Sequence, residues 1–170
     1  MRPSSLISCN SREKKGMKRT GILLLLALCL MPVCAQVDKA EKDLLSKLYR
    51  QAGKLYRADD MNNAAAVYRQ YLEQCGSEAA RQTFEYTDVM ARLASIANGQ
   101  GDFNRAIALG EEVVRLRRRA VGEQWPGFGK DHLAGALQNV SVYYSQKGDY
   151  DTSVRLSSES VELYRHGGRL

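Results

Sequence analysis

The chain has 170 residues, 44% of them hydrophobic and 26% charged, and a formal charge of +6, which suits one domain of ordinary size. Of that charge, +5 falls in the first 19 residues, where Arg2, Arg12, Lys14, Lys15, Lys18 and Arg19 are opposed only by Glu13, so the remainder carries +1. A body this close to neutral excludes an electrostatic case for nucleic acid.

The leader comes first along the chain. Met17-Lys18-Arg19-Thr20 is a short basic start, and Gly21 to Val33 is an unbroken apolar run. Val33-Cys34-Ala35 then places small residues at the −3 and −1 positions of a cleavage site before Gln36. This order of basic, apolar and small-residue segments predicts a secretory signal peptide over residues 1–35, with Met17 the better start than Met1. The run falls short of the ~20 apolar residues of a comfortable membrane span. An uncleaved leader acting as an anchor is the alternative. A lipoprotein anchored at Cys34 is another, although Val33 and Met31 fit its processing signal poorly. Export predicts a periplasmic or secreted protein. Of Cys9, Cys29, Cys34 and Cys75, only Cys75 survives cleavage after Ala35, which excludes an intramolecular disulfide and a thiolate zinc site in residues 36–170.

Beyond the leader, Leu44, Leu45, Leu48, Ala52 and Leu55 recur at steps of three and four residues, the spacing of one helix face. A turn follows, ADDMNNAA at Ala58–Ala65. Val89, Met90, Leu93, Ala94 and Ala97 repeat the helical spacing, and QGDFNRAI at Gln100–Ile107 repeats the turn. Val121–Lys130, with three glycines and Pro126, reads as a loop. It holds Trp125 and Phe128, which either fold back over neighbouring helix ends or offer an exposed contact to a partner. Ala136, Leu137, Val140, Ser141 and Tyr144 form a third helical face, and KGDYDTSV at Lys147–Val154 a third turn.

Aligned on Ala64, Ala106 and Ser153, the three copies agree column by column. Twelve residues earlier stand Ala52, Ala94 and Ser141, all small. Sixteen earlier stand Leu48, Met90 and Leu137, all large and apolar. Three earlier stand Met61, Phe103 and Tyr150. Small residues on two neighbouring helices let the backbones approach, and the large one fills the space beside them. Glycine ends the first helix with a left-handed residue, and Asp102 and Asp149 are placed to cap the second. About six helices in three hairpins are expected, with no segment alternating as a strand would.

These columns resemble tetratricopeptide repeats (TPR), over residues 40–76, 78–120 and 131–166. The 42-residue spacing of the first two copies and Gly129-Lys130-Asp131-His132 resemble the longer variety found in kinesin light chains. Copy one departs at Asp59, where the turn glycine lies, and Tyr71 and Val113 are bulky where a small residue is common, with Ser160 the third in that column. The resemblance implies an all-α solenoid of three helix-turn-helix hairpins wound into a right-handed superhelix. It also implies a groove lined by the first helix of each hairpin. Carried over position by position, that groove holds Tyr49, Tyr56 and Arg57; then Asp88, Arg92, Ser95 and Asn98; then Gln138, Asn139 and Ser145. Chaperone-binding members clamp a carboxylate with Lys and Asn where Tyr49 and Gly53 stand here, so that activity is not expected.

No catalytic, cofactor or metal site is expected. His132 and His166 lack metal-ligand spacing, and His132 is read as a solvated residue at a helix start. The glycines before Lys130 fail the phosphate-loop pattern at two positions. Glu111 and Arg115 are expected to pair along one helix, and Arg115, Arg117, Arg118 and Arg119 to meet the dipole at a helix end. The leading functional expectation is an exported, non-catalytic scaffold that binds a protein or peptide. Alternatives are a sensory or recruiting portion of a larger signalling protein, and a glycan-binding envelope protein stacking sugars on Tyr49, Tyr56 and Trp125. With no polar helix read after the third hairpin, a homodimer through that end is a further expectation.

Overall fold

The computed structural model describes residues 39–166. The signal peptide, the Met17 start, the cleavage at Ala35 and the lipidation of Cys34 lie outside the described residues.

The described chain is all-α. Helix α1 covers 39–57, followed by α2 (Met61–Gln74), α3 (Glu78–Arg81), α4 (Phe84–Gly99), α5 (Phe103–Gly122), α6 (Lys130–Lys147) and α7 (Tyr150–His166). Six long helices form three hairpins, α1/α2, α4/α5 and α6/α7. The seventh helix, the single turn α3, exceeds the expected six and sits in the link between the first two hairpins.

The second helix of every hairpin starts at the expected aromatic or methionine, because an aspartate caps it one residue earlier. Asp60 accepts from Asn63 N at 3.3 Å, Asp102 from Arg105 N at 3.1 Å and Asp149 from Thr152 N at 3.1 Å. Each bond satisfies a helix N–H that has no partner within the helix. The α3 turn is held from a distance. Glu41 Oε1 on α1 accepts from Gly76 N at 2.9 Å and Ser77 N at 3.0 Å, while Ser77 Oγ caps α3 by accepting from Ala80 N. Thr83 Oγ1 then donates to Ala80 O at 2.8 Å and accepts from Tyr86 N at 3.3 Å, joining the end of α3 to the start of α4.

The core is continuous but has two lobes. Leu45, Leu48 and Ala52 of α1 meet Ala64, Tyr68 and Tyr71 of α2 and Val89, Leu93 and Ile96 of α4. Met90, Ala94 and Ala97 of α4 meet Ala106, Val113 and Val114 of α5, Leu137 and Val140 of α6 and Leu156 of α7. Leu72, Tyr86 and Leu109 touch both lobes. Ala52, Ala94, Ala64 and Ala106 are completely buried, and Ser141 nearly so, where the repeat demands close approach. Ser153, the sixth of that set, is only half-buried, since no hairpin follows α7 among the described residues. Tyr71, Val113 and Ser160 are all buried, so the bulky departures in that column are accommodated. Ser160 Oγ spends its donor on Ala134 O at 2.8 Å. Cys75, the free cysteine among the described residues, is buried at the end of α2, and burial pushes its thiol up to about 11.

Candidate functional site

The first helices of the hairpins, α1, α4 and α6, carry every groove residue named from the sequence. Helical spacing and the repeat register put Tyr49 and Tyr56 of α1 against Asp88 and Arg92 of α4. Tyr49 Oη donates to Asp88 Oδ2 at 2.8 Å, and Arg92 Nε donates to the same oxygen at 2.6 Å. The guanidinium of Arg92 lies over the Tyr56 ring at 5.1 Å from its centroid. A shared carboxylate thus ties two hairpins together, with a cation held over an aromatic face.

The electrostatics follow from this arrangement. Burial, reinforced by the bond to Asp88, pushes the Tyr49 hydroxyl up to about 12. Burial works against the charge of Arg92, but the bond and charge of Asp88 override it and leave the guanidinium above its ordinary value. Tyr68 of α2 points at the same cluster: burial raises its pKa, and the charge of Arg92 opposes the rise. Its hydroxyl is fully buried and makes no hydrogen bond of ordinary geometry. The carbonyl oxygen of the Asn98 side chain, one turn and a half further along α4, is buried without a partner as well. Each such orphan costs about 1–3 kcal/mol.

The other named residues are not drawn into this cluster. Arg57, Ser95, Gln138 and Asn139 are exposed, and Ser145 is half-buried. Ser95 reaches toward α6, where it acts against the burial that raises the pKa of Tyr143. Sequence reasoning passed over Val142, which is 45% exposed on α6. It occupies the column of Gly53 and Ser95, so the register alone could have found it.

Several expectations are corrected by the geometry. Arg117 does not meet a helix end: it is 6% exposed, with Nε donating to Thr87 Oγ1 at 3.2 Å, Nη1 to His132 O at 2.9 Å, and its guanidinium 5.3 Å from the Phe84 ring centre. Arg119 alone of the four lies in the last turn of α5. Arg115 pairs with Glu112, not Glu111, because Glu111 accepts from Tyr144 Oη at 2.6 Å. His132 stands at the helix start as expected, its side chain 34% exposed, and is also a cap and a ring contact. Its Nδ1 accepts from Gly129 N at 3.1 Å, and its ring lies 4.7 Å from Phe84. Trp125 is 8% exposed, packed edge-on to Phe128, and donates to Glu123 Oε2 at 2.9 Å. Its ring is folded back, which removes it as a platform for a sugar or a partner.

A second recess, about 420 Å³, opens between α5 and α7 over Val114, Val140 and Leu156. Its arginines are largely neutralised where they stand: Arg115 by Glu112, Arg118 by Glu159 at 2.6 Å and Arg119 by Glu123 at 2.9 Å. Among the described residues no three His, Cys, Asp or Glu side chains gather as metal ligands. Nor is any described helix long and apolar enough to cross a membrane.

Residues 87–132 match the family model of the tetratricopeptide repeat. That segment runs from the first turn of α4 through α5 and the Trp125 loop to the start of α6. The structure is similar to the N-terminal domain of stress-induced protein-1 (STI-1) from C. elegans, at 14% identity over 74% of this chain and 88% of that one, with a TM-score of 0.59. BtubC (BKLC) from P. vanneervenii is also similar, at 14% identity over 76% of this chain and 66% of that one, with a TM-score of 0.45. No curated protein matches this chain in sequence. The family match thus covers one repeat's length, and the likeness to STI-1 bears out the all-α repeat fold.

Proposed function

We propose that the protein is an exported, non-catalytic scaffold that holds an extended segment of a protein partner along α1, α4 and α6. One observation carries the reading: Tyr49, Asp88, Arg92 and Tyr56 form a bonded cluster across two hairpins. An extended peptide has unpaired N–H and C=O groups along both edges, and the surface around this cluster offers it the exposed polar side chains of Arg57, Ser95, Gln138 and Asn139. The repeat match and the shared fold support an interaction module, and the apolar leader supports export.

Retention of partners from an envelope extract tests the groove. Wild-type protein and the off-groove variant Arg105→Ala are expected to retain the same partner, and Arg92→Ala and Tyr56→Ala to lose it with helicity unchanged. Unaltered retention by both groove variants overturns the reading. Export is checked by the mass of the protein recovered from the envelope fraction, expected to begin at Gln36. A mass that includes the leader refutes it, and a lipid on Cys34 replaces cleavage before Gln36 with an exported lipoprotein.

A further inference from the structure

The outward face of α7 is apolar and bare among the described residues. Tyr150 is 67% exposed, Val154 63% and Val161 42%. In the repeat register Val154 stands where α2 has Ala65 and α5 has Ile107, both buried. Val161 stands where α2 has half-buried Leu72 and α5 has buried Val114. On the two earlier helices this face is covered by the following hairpin, since α4 packs on α2 and α6 packs on α5. The positions of Val154 and Val161 recur on α7 with nothing over them among the described residues, and apolar surface left in this way marks an interaction site.

The order of residues on that face names the occupant. Asp151, Val154, Ser158, Val161 and Arg165 follow one another at alternating steps of three and four, the seam of a coiled coil. Arg155 and Glu162 flank the seam on one side, and all seven residues are exposed. Set a second α7 antiparallel against the first, with a two-fold axis through Ser158. Asp151 then faces Arg165 of the second copy, seven residues either side of the axis. Val154 lies within one residue's rise of Val161 of the second copy, and Arg155 within one residue's rise of its Glu162. Every contact occurs twice, as a closed two-fold interface requires. A parallel pairing sets Asp151 on Asp151 and Arg165 on Arg165, like charge on like. The small side chain of Ser158 lets the helices approach at the axis.

We propose that the protein pairs with a second copy of itself through α7, the two helices antiparallel and centred on Ser158. The apolar contacts supply the affinity. The charges supply the direction, since exposed ion pairs contribute little net energy but suppress the wrong orientation. Arg165 on the seam and Glu162 beside it contact each other at 3.2 Å within α7.

Sedimentation of the full chain at micromolar concentration tests this. Wild type is expected to be dimeric. Val161→Asp is expected to be monomeric with helicity unchanged, since the residue touches solvent. Arg155→Glu and Glu162→Arg alone are each expected to weaken association about tenfold or more, and the double reversal to restore it, because opposite charges again meet across the axis. A monomeric wild type, an undisturbed dimer in Val161→Asp, or a double reversal as weak as the singles overturns the proposal. The first of these is the result expected if a different helix covers the face.

Discussion

Asp59, Gly101 and Gly148 hold the same place in the three turns, and all three backbones are left-handed there, with φ of 61°, 79° and 94°. A side chain in that region costs roughly 1–2 kcal/mol. A Cβ built on Gly101 meets nothing within 4 Å, so any penalty for Gly101→Ala is a backbone penalty. We expect it to lower the unfolding free energy by about 1 kcal/mol, part of the strain being offset by the stiffer unfolded chain. Asp59→Gly is expected to be nearly neutral, since relief of strain and added chain entropy of roughly 0.5–1 kcal/mol oppose each other. Urea denaturation of the two variants measures both. Gly110 presents the opposite problem. A Cβ there sits 2.6 Å from Val140 Cγ2, and Val140 is 1% exposed and branched, so it has nowhere to go. Overpacking of ~1–3 kcal/mol should outweigh a helix-propensity gain of up to ~1 kcal/mol. Gly110→Ala is therefore expected to destabilise, and less so in a Val140→Ala background. Glu41 gives a dependence on pH. Its bonds from the backbone N–H groups of Ser77 and Gly76 hold its carboxyl below 4.5. A depressed carboxylate stabilises the fold above its unfolded pKa, and that contribution is lost as pH falls through the folded value. The stability difference between wild type and Glu41→Gln should thus be largest near neutrality and vanish in acid.

At the scale of elements, the helices that begin at Met61, Phe103 and Tyr150 were legible because an apolar anchor follows a capping aspartate, a local signal. The small-residue columns were legible because two helices cannot approach without them. The turn α3 was not, since Glu78–Arg81 is too short to show a period and is fixed by Glu41 from another helix. Arg117 was misread for a related reason. Charge is visible in a sequence, but Thr87 and the carbonyl of His132, which receive this arginine, come from elsewhere in the stack. Burial lowers its pKa, and the charges of Asp88 and Asp131 work the other way. Arg117→Met keeps the volume but removes a donor from His132 O, which should cost about 1–3 kcal/mol. Arg117→Ala adds a cavity and should cost more. Chemical denaturation compares the two, and equal losses would mean that the hydrogen bonds, not packing, are what Arg117 provides.

Across the whole molecule, burial is uneven. α4 buries seven residues and touches both lobes of the core, while α7 buries only Leu156 and Ser160. In a stack where each hairpin leans on its neighbours, protection should fall toward the less supported end. Amide exchange is expected to be slowest in α4 and α5 and fastest in α7 at high dilution, and to slow in α7 as concentration rises. Exchange in α7 that is as slow as in α4 at every concentration contradicts that gradient. The site was legible to the extent that register decides it. Tyr49, Tyr56, Asp88 and Arg92 were named from their columns, whereas the bonds among them depend on how one hairpin leans on the next. Tyr68, which completes the cluster, lies on the helix that the register assigns to the core. One further property of that first hairpin follows from its sulfur. A thiol that titrates near 11 and lies out of solvent can be alkylated only while the end of α2 is sprung open. The slow phase of labelling at Cys75 is therefore a clock for local breathing at the front of the stack, readable without a probe being added to the protein.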